Sequence, residues 1–281
     1  MFEIFYIDLF QNDESLYNTS LNVGDERDLI ISRYVFFYVC LAFIPINLFT
    51  NVLCIGAVLL YPRFHRAFNY LLLGLALSDF ILGIYCMPLY VISYMPSPAS
   101  EVFLNRFVCA SWLSAMGMSG GGTLYSILFI SVDRFIAVIR PWQYPRIMAK
   151  DRTLLAVVSL WIYISLVTLA GMFVWNTYAS DATPVNLGCN FKVYIPKYVI
   201  NIASFVTVFV TSSLSLLLYV DIIVKINRQQ AIFQSNISRY TTRQIRSFES
   251  RVNSVMIATA LTVFFVIMWL PYFLLVPFKN A

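Results

Sequence analysis

Residues 107–141 read FVCASWLSAMGMSGGGTLYSILFISVDRFIAVIRP, and 107–132 carry no charged side chain. About 20 apolar residues of helix cross a hydrocarbon core about 30 Å thick, so this stretch is long enough to span a bilayer. It closes on Asp133-Arg134-Phe135, where an acid and a base side by side mark the return to water. Working outward, similar apolar runs occupy 34–60, 70–92, 154–175, 198–224 and 252–278, giving six expected crossings. Across its 281 residues the chain is 60% hydrophobic and 12% charged, against about 25% charged in ordinary soluble domains. That composition excludes soluble enzymes, nucleic-acid binders and disordered chains. The expected fold is an all-α polytopic transmembrane helix bundle in direct contact with lipid.

Residues 1–33 form a separate acidic tail: Glu3, Asp8, Asp13, Glu14, Asp25, Glu26 and Asp28 stand against only Arg27 and Arg33. Without a basic start and a short apolar core it does not read as a cleavable signal peptide. The transmembrane domain is 34–281. Of the 19 Lys and Arg residues, thirteen follow the first, third and fifth runs, from Arg63 and Arg66 through Arg140 and Arg152 to Arg251. Basic loops stay inside, so the amino terminus is expected outside and the location is the plasma membrane. Asn18-Thr19-Ser20 then offers a glycosylation acceptor on the outer side, and Cys109 and Cys189 both fall on the oxidising face. Five cysteines are too few for a disulfide scaffold.

An ionisable residue at helix centre costs about 2.5–3.5 kcal/mol on insertion scales, so each one invites a functional reading. Asp79 sits mid-span, with Asn51 placed to meet it from the first run and Thr123 from the third. It reads either as polar glue between helices or as a cation site or protonation switch. Arg134 beside Asp133 is a releasable, fork-shaped donor at the cytoplasmic boundary. Trp161 alone reads as packing. In Met268-Trp269-Leu270-Pro271, the proline kinks the helix beside a large ring, with Phe265 one turn earlier. Gly117, Gly120, Gly121 and Gly122 read first as sites of close helix approach and second as ligand contacts.

Together, Asn51, Leu75-Ala-Leu-Ser-Asp79, Cys109, Asp133-Arg134-Phe135 with Pro141, Trp161, Cys189, Tyr219 and Phe265-x-x-x-Trp269-x-Pro271 resemble, in order and spacing, a rhodopsin-like G protein-coupled receptor over residues 34–281. The resemblance implies a Cys109–Cys189 disulfide and an allosteric sodium ion at Asp79 and Thr123. It also implies movement of Arg134 toward Tyr219 and a heterotrimeric G protein, with Phe265, Trp269 and Pro271 as the activation switch. Six of the family's seven helices are expected: the seventh, with its Asn-Pro-x-x-Tyr element, is not found before Ala281. A six-span, non-signalling form that pairs with full-length receptors is therefore the alternative expectation. Thr211 replaces a usual proline. Arg251 replaces an acid that often pairs with the third-span arginine, which implies a weakened inactive-state latch.

Met116 stands where amine receptors of the family carry an aspartate, so a cationic amine loses its counter-ion. The expected pocket is Met116, Gly120, Trp269, Lys192 and Lys197, for an apolar extracellular ligand with an anionic end, such as a peptide or lipid. Ser212, Ser213 and Ser215 are as apt to bond their own helix. No selectivity-filter loop or arginine-rich span suggests a channel. The single histidine, His65, has no metal-ligand cluster or nucleophile about it, so no enzyme is expected.

Overall fold

The computed structural model describes residues 23–64, 66–93, 105–179 and 197–235, and between 252 and 267 residues 252, 253, 256, 257, 259, 260, 262–265 and 267; every long element among them is helical. Five helices are long and apolar enough to cross a membrane: Phe37–Leu60, Ala67–Ile92, Phe107–Ile139, Lys150–Ala170 and Phe209–Ala231. Most of the expected sixth run, including Trp269 and Pro271, lies outside the described residues, and those described before that point are helical.

Two boundaries differ from the sequence reading. The first helix starts at Val23 and runs 38 residues to Leu60, about 57 Å at 1.5 Å per residue, so it overhangs the hydrocarbon core. The third helix, Arg106–Ile139, does not close at Asp133 but continues for six residues beyond it. Nothing in Phe135-Ile-Ala-Val-Ile139 breaks a helix. The stop comes at Arg140, whose non-helical backbone (φ −128°, ψ 61°) precedes Pro141, as the clash with a following proline ring requires. At the other end Asn105 caps the helix, its side-chain oxygen accepting the Phe107 N–H at 2.9 Å.

The second span is interrupted by a wide π turn, Leu82–Cys86. Pro88 follows two residues later; it has no N–H to donate and its ring crowds the carbonyl four residues back. The wide turn reroutes the ladder, so that the Met87 N–H reaches the Leu82 carbonyl. Within this turn Gly83 abuts the first span: a Cβ there would lie 2.4 Å from Asn47 Oδ1.

The second and third spans form the interior, 50% and 44% buried, whereas the first and fourth are 11% and 17% buried. Phe49, Leu60, Leu155 and Leu166 of the outer pair are exposed and belong against lipid tails. Two apolar clusters fill the bundle. The outer one, at the end expected to face outside, joins Cys40, Cys86, Met87, Tyr90, Val91, Cys109, Trp112 and Leu113. The inner one joins Leu71, Ile130, Val157, Tyr219, Ile222 and Ile226, with Phe68, Phe135, Trp161 and Val252 packed against it.

Candidate functional site

Extending the third helix past Asp133 places the acid–base pair on its last turns rather than in a loop. Asp133 is fully buried and the Arg134 side chain is 11% exposed. Arg134 donates to Asp133 Oδ2 through Nε at 2.8 Å and through Nη2 in a second, shorter contact. The other carboxylate oxygen is taken as well: Tyr144 Oη, from the short helix Tyr144–Ile147 between the third and fourth spans, donates to Asp133 Oδ1 at 2.9 Å. Beneath the guanidinium lies the Phe68 ring of the second span, 4.2 Å from Arg134 Cζ to the ring centroid. A buried carboxylate engaged on both oxygens and a guanidinium on an aromatic face form a closed clamp.

Burial raises the Tyr144 phenol pKa above its ordinary value, and the Asp133 charge and hydrogen bond raise it further. The proton therefore stays on Tyr144 and keeps the donor in place. Tyr219, 2% exposed, comes into the same region from the fifth span. Its hydroxyl lies within interaction range of Ser131, Thr262, Arg134 and Asp133 but makes no well-formed hydrogen bond. Phe135 packs in the inner cluster, and Lys225 Nζ stands 5.3 Å from its ring centroid. Lys225 also pairs with Asp221 one turn earlier at 2.6 Å.

Higher in the bundle Asp79 is half-buried. The Asn51 amide, expected to meet it, instead donates to the Asn47 carbonyl of its own helix at 2.9 Å. The glycine run divides by direction. A Cβ on Gly117 would lie 3.1 Å from Thr168 and one on Gly121 3.6 Å from Ile164, both on the fourth span; one on Gly122 would lie 2.3 Å from Ser78 Oγ of the second. These three serve close helix approach, whereas a Cβ on Gly120 would meet nothing within 4 Å. Trp161 packs near Gly74 and Gly122, its buried indole N–H without a partner. Met116 is half-buried beside the outer cluster.

Cys109 is disulfide-bonded, while Cys40, Cys54 and Cys86 are free. Trp112, one turn further along the third helix, donates its indole N–H to the Cys86 carbonyl at 3.0 Å. Phe265 is half-buried in the sixth-run segment. Cys189, Asn18, Lys192, Trp269, Pro271 and the Lys197 side chain lie outside the described residues.

The structure thus brings Asp133, Arg134, Phe135 and Tyr219 to one end of the bundle, and adds Tyr144 and Phe68, which the sequence reading did not single out. Tyr144 lies in a polar loop and Phe68 at the start of an apolar run, so neither carries a periodic signal of its partner. The spacing Pro141-x-x-Tyr144 was the available hint, since a helix stop followed by a turn folds the tyrosine back toward the helix end.

The family described as 7 transmembrane receptor (rhodopsin family) matches residues 50–280. Among curated relatives, melanopsin of Branchiostoma belcheri is 28% identical over 172 residues, covering 57% of this chain and 24% of that protein. The 5-hydroxytryptamine receptor 2C of Mus musculus is 26% identical over 180 residues, covering 60% and 39% respectively. The alpha-1A adrenergic receptor of Oryzias latipes is 29% identical over 139 residues, covering 50% and 29%. The matched stretch spans 24% to 39% of the length of these three relatives.

Proposed function

The chain belongs to the rhodopsin family of seven-transmembrane receptors, and on that premise we propose that it carries an extracellular signal across the plasma membrane to a heterotrimeric G protein. It does so by conformational change, with no chemistry on the ligand. The observation that carries this reading is the clamp on Arg134, held by Asp133 and resting on Phe68 at the inner end of the bundle. Activation lets the guanidinium leave Asp133 and Phe68 and swing toward Tyr219, whose buried hydroxyl has no well-formed hydrogen bond to lose. Phe265, with Trp269 and Pro271, relays ligand contact to that swing, and a Cys109–Cys189 disulfide fixes the outer end. The amino terminus is outside and Asn18 is its glycosylation acceptor.

The ligand is a non-amine, peptide or lipid-like, with its anionic end at Lys192 and Lys197 and its apolar body near Met116 and Gly120. Two of the relatives named above are receptors for amines by name. At 26–29% identity the third-span position decides, and Met116 offers no charge to a cation. Asp79 and Thr123 supply carboxylate and hydroxyl oxygens, and Asn51 does not occupy the carboxylate. That donor set fits a monovalent cation such as sodium, which these residues would hold and which would favour the clamped state. The test is nucleotide exchange on a purified heterotrimeric G protein by the reconstituted chain. Arg134→Ala is expected to abolish exchange with the helical fold intact; exchange equal to wild type would refute the reading.

A further inference from the structure

Tyr163 is 55% exposed on the fourth span, nine residues beyond Leu154, where the apolar run 154–175 begins. At 1.5 Å per residue its Cα lies about 14 Å into a hydrocarbon core about 30 Å thick, close to the mid-plane. A lipid-facing tyrosine ordinarily belongs to the headgroup belt, where its hydroxyl meets water. Half-buried Tyr125 of the third span lies within electrostatic range of Tyr163. These two spans are antiparallel neighbours, since a Cβ on Gly121 would meet Ile164 and one on Gly117 would meet Thr168. Helix side chains lean toward their own amino-terminal end, so the two phenols lean toward one another. No hydrogen bond joins either phenol to another of the described residues. A serine at this depth turns its hydroxyl to a carbonyl of its own helix; the hydroxyl of a tyrosine stands beyond that reach, and hydrocarbon offers no water in its place.

The face that carries Tyr163 has the pattern of a helix-packing seam. Ala156, Ser159, Tyr163, Leu166 and Ala170 are all exposed and recur at spacings of three, four, three and four, the repeat by which helices pack at a shallow crossing angle. They lie opposite the buried Thr153, Val157 and Ile164, which hold the span to the bundle. Ala156, Ser159 and Ala170 are small enough to let two backbones approach closely. We propose that this face of the fourth span pairs with the same face of a second copy of the chain, the two Tyr163 hydroxyls meeting across a two-fold axis along the membrane normal, with Ser159 and Tyr125 beside them. The depth of the hydroxyl selects this occupant. Polar groups of lipids sit at the boundary with water, about half a bilayer away, so a spanning helix is what brings a hydrogen-bonding group to the mid-plane. Two copies inserted the same way round present the same residues at the same depth. A hydroxyl is both donor and acceptor, so it is complementary to itself, as a two-fold contact requires and as a charge is not. The Arg134 clamp takes no part in this contact, so the pairing stands or falls separately from the proposed exchange activity.

The experiment measures energy transfer between intact chains carrying a donor or an acceptor fluorophore at the amino terminus, in phosphatidylcholine bilayers over a range of chain-to-lipid ratios. Wild type is expected to show saturable transfer that unlabelled chain competes away. Tyr163→Phe keeps the ring and removes the hydroxyl from both sides of the axis at once, so the chain-to-lipid ratio for half-association is expected to rise about tenfold. Ala170→Ile adds bulk to the seam and is expected to weaken pairing as well, which keeps the test open should the first variant not accumulate. Phe49→Leu, on the 67%-exposed position of the first span, is expected to pair as wild type does. Helical content is checked for each variant, so that lost pairing is separated from lost fold. Wild-type transfer no greater than random proximity overturns the proposal, as does Tyr163→Phe pairing as tightly as wild type. Pairing that appears only when a sterol is added to the bilayer makes a lipid the bridge and overturns it equally.

Discussion

At the outer end of the bundle Trp112 is locked into an apolar cluster, bonded to the Cys86 carbonyl, with the disulfide-bonded Cys109 one turn away. At the inner end Arg134 donates to the Asp133 carboxylate and lies on the Phe68 ring, and Asp133 is held in turn by Arg134 and Tyr144. The first arrangement rests on apolar burial and a covalent linkage. The second is a set of charge-assisted contacts at the membrane boundary, each of which can be exchanged for water or for another donor. The difference teaches that a bundle of uniformly apolar helices can still divide its ends into a fixed part and a releasable part. The division follows from which residues meet, since the overall hydropathy of the spans is similar.

The largest effect is expected at the fixed end. Trp112→Ala removes a 3%-exposed ring, and truncations of this kind cost about 3–5 kcal/mol. Thermal unfolding in detergent should drop accordingly while exchange per folded molecule stays unchanged; altered exchange would merge the two ends into one device. At the releasable end Tyr144→Phe removes a hydrogen bond to a charged acceptor, worth about 1.5–3 kcal/mol. Basal nucleotide exchange is expected to rise about tenfold or more, and a silent variant would remove Tyr144 from the clamp. Phe68→Leu keeps the apolar contact but loses the cation–π term of about 0.5–2 kcal/mol, so a smaller rise of a few-fold is expected in the same assay.

The smallest effect is a pH slope. The Tyr144 pKa is raised in the folded state, so its stabilising contribution is fully present below the ordinary phenol value of about 10 and is lost as pH rises beyond it toward the folded value. Wild type is therefore expected to lose stability above about pH 10 more steeply than Tyr144→Phe, and parallel slopes would show that the phenol is not specially held.

Much of this was legible in the sequence, for identifiable reasons. The uncharged run 107–132 announces a crossing because only a helix satisfies its backbone in lipid, and Asp133-Arg134 announces a boundary because adjacent charges are dear in hydrocarbon. The clamp was half legible: the adjacency of Asp133 and Arg134 is written in the chain, whereas Phe68 and Tyr144 reach them across tertiary distance that no periodicity encodes. The continuation to Ile139 is not legible from the charged pair, which marks the end of the apolar run, whereas Pro141 is the residue that breaks the helix. The π turn at Leu82–Cys86 was available from Pro88 and Gly83 but was hidden inside an apolar run. Asn51 was expected at Asp79 on spacing alone; its amide instead found the nearer carbonyl of Asn47, a local bond that competes with any cross-helix partner.

Under the proposed function, Asp133 restrains Arg134, and Arg134, once free, acts on a G protein. The most direct measurement is nucleotide exchange by reconstituted wild type, Asp133→Asn and Arg134→Ala, with helical content checked for each. Opposite signs are expected: Asp133→Asn raises exchange about tenfold or more by weakening a charge-assisted pair, and Arg134→Ala abolishes it. If both variants fall together, or neither moves while both remain folded, the pair is structural and the account is contradicted.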